Sequence, residues 1–486
     1  MKLSSLIAGL DCKVVRGSTD KEIRELIYFS EKAVPGSMFF AVPGAEKDGC
    51  CYIDEAVKKG AEAVVVEKGR CGFWCFGDDV TLLEVEDVRK AMALMSRTFY
   101  HNPCEGMMVI GVTGTKGKTS TCFMIREILE CSGIKTGIIG TVKNGFEGHF
   151  EEADRTTPQS VEVYRLCREM KNGGCEAVVM EVSSQGLMQS RVEGINFDVA
   201  VFTNFSPDHI GPGEHADLEE YFRWKQSLFK KCSCAVINMD DESWMKIAEE
   251  CTADRIFTFG SSEESDYCFR DAELFKSDNW LGMKYTVLGE EIIIKAPGRF
   301  NAENSAAAAA VGRILGCDWK CVKEALYGVK IPGRGEIIDS GKECVVMVDY
   351  AHNGKALKEL LNALREYEPS KLTVVFGCGG NRDKNRRKEM GEAAARFADF
   401  SIITSDNPRN ENPLEIIDDI VRAVEAYGGE YTVIPDRGEA IRFAVETAQK
   451  GDIVVVAGKG HETYQIIGNE KKHFDDKEFI LTMNRG

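Results

Sequence analysis

Residues 107–120 read Met107-Met108-Val109-Ile110-Gly111-Val112-Thr113-Gly114-Thr115-Lys116-Gly117-Lys118-Thr119-Ser120, an apolar run that stops at a loop of glycine, threonine and lysine and leads into an amphipathic stretch. The pattern predicts a strand, a phosphate-binding loop and a helix in that order. Gly114 and Gly117 let the backbone approach phosphate oxygens, and Lys118 reaches the terminal phosphates. The Thr119 hydroxyl can ligate Mg2+ at a helix N-terminus whose amides favour anions. The strict pattern asks for glycine at position 112, where valine stands with Gly111 one place too early. Lys118 and Thr119 fall in register, so the departure points to a variant of the loop and to a nucleoside triphosphate user. A glycine-rich turn with no ligand is the alternative.

Around this loop, a chain of 486 residues is too long for one hydrophobic core, and 43% apolar residues lets each of several domains bury its own. The net charge of -17 opposes a nucleic-acid or anionic-membrane partner, so an anionic substrate has to be met by local Arg and Lys. Eighteen cysteines are scattered without a Cys-x-x-Cys pair, which is neither a zinc nor a redox framework. The apolar run Leu6 to Leu10 is short and no stretch approaches a membrane-spanning length, so the expectation is a cytoplasmic protein with small-molecule substrates, no membrane insertion and a monomeric state.

Up to about residue 100, runs such as Met38 to Val42 and Ala63 to Val66 alternate with helical patterns such as Val88 to Tyr100, as in a small α/β domain. Asn102-Pro103 breaks the last of these helices. Further on, Ala177 to Glu181, Val199 to Thr203 and Cys234 to Asn238 read as strands of a mostly parallel sheet, and the alanine-rich Asn301 to Leu315 as a closely packed helix. After Ile331-Pro332-Gly333, strands at Cys344 to Val348, Leu372 to Phe376, Phe400 to Thr404 and Ile453 to Ala457 alternate with helices in a Rossmann-like pattern. The expected fold is therefore α/β with three domains: 1–102, a central parallel-sheet domain 103–331 carrying the loop, and a C-terminal Rossmann-like domain 332–486.

Glu181 stands at the end of a buried strand, where a carboxylate can complete a Mg2+ site with Thr119 or simply face solvent. Thr203-Asn204-Phe205-Ser206-Pro207-Asp208-His209 ends another strand, and C-terminal strand ends are where parallel sheets bind ligands. His209 is a candidate metal ligand because of that company. Lys225 alone reads as a solvated helical lysine.

Taken together, Thr113 to Ser120, Glu181-Val182-Ser183-Ser184, Asn204 to His209, Pro297-Gly298-Arg299-Phe300-Asn301, Pro332 to Glu336, Asp349-Tyr350-Ala351-His352 and Gly458-Lys459-Gly460-His461-Glu462 resemble the Mur ligases, in that family's order along the whole chain. The resemblance implies ATP-driven amide formation through an acyl phosphate. Thr113, Gly114, Thr115, Lys116, Gly117, Lys118 and Thr119 would cradle ATP, with Asn301, Arg334, Asp349 and His352 holding the rest of it, the last two reaching in from a third domain that closes. Catalysis would rest on Lys118, Glu181, His209 and a carbamylated Lys225, and Mg2+ on Thr119, Glu181, His209 and Lys225. Carbamylation needs a neutral amine, which burial and a nearby cation favour.

Within the family, Thr156-Thr157-Pro158 and Ser405-Asp406-Asn407-Pro408-Arg409 resemble the branch that adds meso-diaminopimelate to UDP-N-acetylmuramoyl-L-alanyl-D-glutamate during peptidoglycan precursor synthesis. Thr156, Thr157, Ser183, Gln189 and Arg191 then match contacts to the muramoyl dipeptide, and Ser30 a contact to the uridine diphosphate. Here the chain reads Phe29-Ser30-Glu31 where the family usually has Asp-Ser-Arg. Arg382, Asp406, Asn407, Pro408, Arg409, Gly458 and Glu462 match contacts to diaminopimelate, whose far carboxylate a guanidinium can pair through two hydrogen bonds. Rival readings are a ligase for lysine or another diamino acid, a folylpolyglutamate synthase, and a nucleotide-gated binding protein that has lost catalysis.

Overall fold

A computed structural model describes residues 1–44, 47–70, 77, 79–208, 210–211, 214–277 and 280–483. His209 lies outside them. The chain divides into two compact units, Met1–Phe259 and Gly260–Gly486.

The first unit opens with a five-stranded sheet in the order Cys12–Arg16, Thr81–Val85, Ala61–Glu67, Ser37–Phe40, Glu25–Ile27, parallel except for its first pair. Strand period two sends Met38 and Phe40 into one apolar cluster and Phe39 into another, so both faces are buried. The helix Val88–Phe99 begins where the Asp87 carboxylate accepts the Arg89 and Lys90 amides.

A second sheet in this unit is built on the quoted strand, Met108–Thr113, which pairs in parallel with Ala177–Glu181 on one side and Phe197–Phe202 on the other. All three C-terminal ends therefore open at one edge. Cys232–Asn238 and Arg255–Gly260 extend the sheet beyond Phe197–Phe202, and Thr136–Ile139 extends it beyond Ala177–Glu181.

In the second unit the expected parallel alternation gives way to three antiparallel strands, Tyr267–Lys276, Leu281–Val287 and Glu290–Ile294. Leu288 and Gly289, at φ 51° and 81°, make the two-residue turn between the last two, and both central residues of that turn type need positive φ. Leucine is a poor signal for such a turn, which is why the sequence did not disclose it. The helix Arg299–Ile314 lays its alanines on these strands, with Ala302 and Ala306 to Ala310 fully buried. A six-stranded sheet follows in the order Glu336–Ile338, Val345–Asp349, Ile453–Ala457, Leu372–Phe376, Phe400–Ile403, Tyr431–Val433, antiparallel only at its first pair. The crossover from Val345–Asp349 to Leu372–Phe376 skips the intervening strand, so the carboxyl ends around Asp349, Gly377, Asp406 and Gly458 form the crevice where such sheets take ligands.

Candidate active site

The loop at the end of Met108–Thr113 is tight. A side-chain carbon on Gly114 would come within 1.9 Å of Thr203 Oγ1, so glycine is required there by contact, and Gly117 caps the helix Lys118–Cys131 at φ 83°. Asn204 pins the loop by accepting the Lys116 amide at 2.9 Å and donating to the Lys116 carbonyl at 3.2 Å. The half-buried Lys118 donates to the carbonyls of Gly114 and Thr115 at 2.9 and 3.0 Å.

Glu181 is 2% exposed, which removes the surface-glutamate alternative. Its carboxylate accepts from the Thr119 hydroxyl at 2.9 Å, the Thr141 amide at 2.7 Å and the Thr141 hydroxyl at 3.1 Å. Thr141 carries no motif and was not foreseen. Thr119 and Glu181 thus present oxygen donors side by side at the helix N-terminus, the donor chemistry a hard cation such as Mg2+ takes.

Lys225 is 1% exposed and therefore not a solvated helical lysine. Its ammonium lies 4.3 Å from the Tyr221 ring centroid and donates to the Gly114 carbonyl at 2.8 Å. Burial, and then the Lys118 cation, hold its pKa well below the ordinary lysine value against the opposing pull of Asp208.

Thr157 donates to the Glu181 carbonyl at 2.8 Å, and its hydroxyl also accepts the Ser183 amide at 3.0 Å. Ser183 caps the helix Ser184–Met188. The hydroxyl of Thr156 accepts from Thr141 at 3.1 Å. Arg191 donates to the Thr157 carbonyl at 2.7 Å and to Gln189 at 2.7 Å, which ties this cluster to a cavity of about 560 Å³ whose lining includes Tyr28, Ser30, Arg89, Arg155, Gln189 and Arg191. The Ser30 hydroxyl donates to Glu55 at 2.8 Å. Arg89 and Arg155 belong to none of the motifs.

In the second unit, Arg334 stacks its guanidinium 4.5 Å from the Tyr350 ring centroid. Asp349 accepts the amides of Gly335 and Ala351 at 2.6 and 2.8 Å, while burial raises its pKa. The exposed His352 has its Nδ1 2.9 Å from the Tyr350 carbonyl. Asn301, 3% exposed, donates to the Pro297 carbonyl at 2.8 Å in the first turn of its helix.

The candidate amino-acid residues gather at the crevice of the six-stranded sheet. Asn407 donates to Glu462 at 2.9 Å and accepts the Ile466 amide at 2.8 Å. Glu462 is also 3.3 Å from the Lys459 ammonium. Asp406 sits against Gly458, where an added side-chain carbon would meet Asp406 Oδ2 at 2.9 Å; burial raises the Asp406 pKa. Arg409 adopts φ 51° beyond Pro408 and directs Nη1 to the Gly380 carbonyl at 2.8 Å. Arg382 is exposed near Gly379.

Three family models cover the chain: "Mur ligase family, catalytic domain" at residues 22–100, "Mur ligase middle domain" at 112–312 and "Mur ligase, glutamate ligase domain" at 333–460. The UDP-N-acetylmuramoyl-L-alanyl-D-glutamate--2,6-diaminopimelate ligase of Caldanaerobacter subterraneus subsp. tengcongensis is 41% identical over 99% of this chain and 98% of its own length. A solved structure of a ligase with the same name matches with a TM-score of 0.68 at 29% identity, covering 100% of this chain and 99% of that one. The MurF ligase of Thermotoga maritima, solved in complex with ADP, shares the fold at a TM-score of 0.59 and 20% identity, over 95% and 96% of the two chains.

Proposed function

Since the chain belongs to the Mur ligase family, we propose that it is an ATP-dependent, ADP-forming amide ligase of the MurE type, joining an amino group of meso-diaminopimelate to the D-glutamyl carboxylate of UDP-N-acetylmuramoyl-L-alanyl-D-glutamate. The observation that carries this reading is the end-to-end match to a ligase named for that substrate pair. On this reading the protein serves peptidoglycan precursor synthesis, and through it cell-wall growth, shape and division. Among the described residues no helix is long and apolar enough to cross a membrane. A cytoplasmic monomer that binds no nucleic acid fits this and the net charge of -17.

A carboxylate is a poor electrophile. The terminal phosphoryl group of ATP is transferred to the D-glutamyl oxygen, giving an acyl phosphate and ADP, and the amine then attacks the carbonyl carbon and expels phosphate. Catalysis of phosphoryl transfer is mainly positioning and charge compensation. The amides of Thr113 to Thr119 and the Lys118 ammonium hold the phosphates. Thr119 and Glu181 would hold Mg2+, which when bound neutralises charge on the phosphoryl oxygens. The buried, charge-depressed amine of Lys225 suits addition of CO2, which yields a carbamate and one proton, and the new carboxylate would serve a second Mg2+ with His209. Asn301, Arg334, Asp349 and His352 are the residues for the remainder of ATP. Thr156, Thr157, Ser183, Gln189, Arg191 and Ser30 are those for the UDP-linked dipeptide, and Arg382, Asp406, Asn407, Pro408, Arg409, Gly458 and Glu462 those for diaminopimelate. The functional parts are taken as 1–102, 103–331 and 332–486.

The test is direct. Purified protein with ATP, Mg2+ and the UDP-muramoyl dipeptide should release phosphate and form the tripeptide product when meso-diaminopimelate is added. Equal turnover with L-lysine would overturn the choice of amino acid, and no turnover with either would overturn the ligase reading.

A further inference from the structure

The two-stranded hairpin of Tyr464–Ile467 and Glu470–His473 follows directly on Gly458-Lys459-Gly460-His461-Glu462 and carries none of the residues assigned to a substrate. Such a hairpin is marginal by itself, and its outer strand, Glu470–His473, is exposed throughout. The inner strand is held from its other edge. Lys459, fully buried, donates to the Tyr464 carbonyl and stands 3.3 Å from Glu462, which fixes the base of the hairpin. Beyond that base the inner strand runs along residues 406–409. The Gln465 side-chain amide donates to the Asp406 carbonyl at 2.6 Å, and the Ile466 amide donates to Asn407 Oδ1 at 2.8 Å. The Arg409 amide donates to the Ile466 carbonyl at 3.0 Å, and the Gly468 amide donates to the Arg409 carbonyl at 2.8 Å.

Arg409 needs this support. Its φ of 51° lies in the left-handed region, which a residue with a side chain keeps only where its surroundings enforce it. The main-chain bonds to Ile466 and Gly468 hold that conformation once loop and strand are aligned, but main-chain bonds are blind to sequence, so side chains have to set the register. Gln465 and Asn407 contribute side chains across the seam, and Asn407 also donates to Glu462. The half-buried Gln465 bonds the main chain of the loop, so it acts on where the loop's backbone lies. A slip along the seam would carry the Arg409 guanidinium off the Gly380 carbonyl that it meets at 2.8 Å. We propose that Gln465 is a positioning residue for the choice of amino acid: by fixing the Asp406 carbonyl it sets the register of the hairpin on residues 406–409, and with it the direction from which Arg409 meets the distal carboxylate of the incoming amino acid. The identity of that amino acid rests on the ligase reading, whereas the register rests on the hydrogen bonds themselves.

The experiment measures phosphate release by the full-length protein with meso-diaminopimelate and, separately, with L-lysine, in the wild type, Gln465→Met and Gln465→Glu. Methionine matches glutamine in length, and a carboxylate at neutral pH matches it in shape, yet neither donates a hydrogen bond. Both variants should raise the KM for diaminopimelate and lower its kcat/KM about tenfold, the weight of one ordinary hydrogen bond. The kcat/KM for lysine, which has no distal carboxylate, and the KM for ATP should stay within twofold. Hydrogen exchange without substrate should quicken at the Ile466 and Arg409 amides and stay unchanged in the strand Leu372–Phe376. An unchanged preference in both variants, an equal proportional loss with both amino acids, or unchanged exchange at both amides would overturn the proposal and leave the ligase reading standing. Wild-type protein that used neither amino acid, or both equally, would overturn the ligase reading or its choice of amino acid, and the proposal with it.

Discussion

Replacing Gly379 by alanine tests the reading of Arg409 without removing it. Gly379 has no left-handed backbone requirement, and an added side-chain carbon would meet one close neighbour, Arg409 Nη1 at 2.9 Å; the next atoms, Asn407 O and Arg382 Cγ, stand at 3.8 and 3.9 Å. Ordinary contact is about 3.5 Å or more, so the guanidinium tip has to retreat by roughly 0.5–1 Å. That retreat strains the 2.8 Å bond from Nη1 to the Gly380 carbonyl that fixes its orientation. Losing one well-placed hydrogen bond to a charged group costs about 1.5–3 kcal/mol, which is roughly a 10- to 150-fold loss in kcat/KM for diaminopimelate. The assay is phosphate release with diaminopimelate and, separately, with L-lysine, in Gly379→Ala and Arg409→Ala. Both variants should lose efficiency with diaminopimelate, narrow the preference over lysine and keep the wild-type KM for ATP. Wild-type efficiency in Gly379→Ala, or an equal proportional loss with lysine, would refute the carboxylate-reading role of Arg409.

Lys118→Ala should abolish ATP turnover with less than about 1 kcal/mol of stability lost, measured by denaturant melts, because a half-buried loop cation is removed rather than a core group. Lys225→Ala should be inactive and partly rescued by short carboxylates. Because the Lys225 pKa is depressed, its neutral fraction at any pH exceeds that of free lysine and falls as pH drops through the depressed value. Incubation in CO2-free buffer at lower pH should therefore strip activity that bicarbonate at higher pH restores, and activity indifferent to CO2 would count against the carbamate. Asp476→Asn should cost about 3–5 kcal/mol in a thermal or denaturant melt, since it leaves the Arg437 cation, 2% exposed and held by Asp476 through two 2.7 Å bonds, without its anion.

Much of the fold was legible because its parallel strands are buried on both faces and so read as unbroken apolar runs. Ala177–Glu181, Leu372–Phe376 and Ile453–Ala457 begin and end where those runs do. The antiparallel strands from Tyr267 to Ile294 were not legible, since Tyr267–Lys276 is mostly exposed or half-buried and the Leu288-Gly289 turn lacks the usual asparagine or aspartate. The phosphate loop was readable because its parts are contiguous in sequence. Burial at Glu181 and Lys225 was not, because it depends on Thr141 and Gly114 arriving from elsewhere in the chain. Arg89 and Arg155 illustrate the same limit, as each is an ordinary arginine until folding places both beside Arg191.

The cations also divide by the oxygens that hold them. Buried Arg387 pairs with Glu411 at 2.7 Å and Asp419 at 2.9 Å, and buried Arg437 pairs with Asp476, so their charges are neutralised within the fold. Arg89, Arg191, Lys225 and Arg409 instead donate to backbone carbonyls or an amide oxygen: Pro43, Gln189, Thr157, Gly114 and Gly380. A neutral acceptor satisfies the N–H groups and fixes their direction without cancelling the charge, so the field stays available to a ligand. The cost is burial of charge and, after it, repulsion from neighbouring cations, which together depress the pKa values of Arg191 and Lys225. An anionic ligand supplies the counter-charge that the neutral acceptors do not. On the proposed function, a protein with a net charge of -17 meets anionic substrates with cations of this second kind, held in place by neutral groups that do not compete with a ligand for the charge.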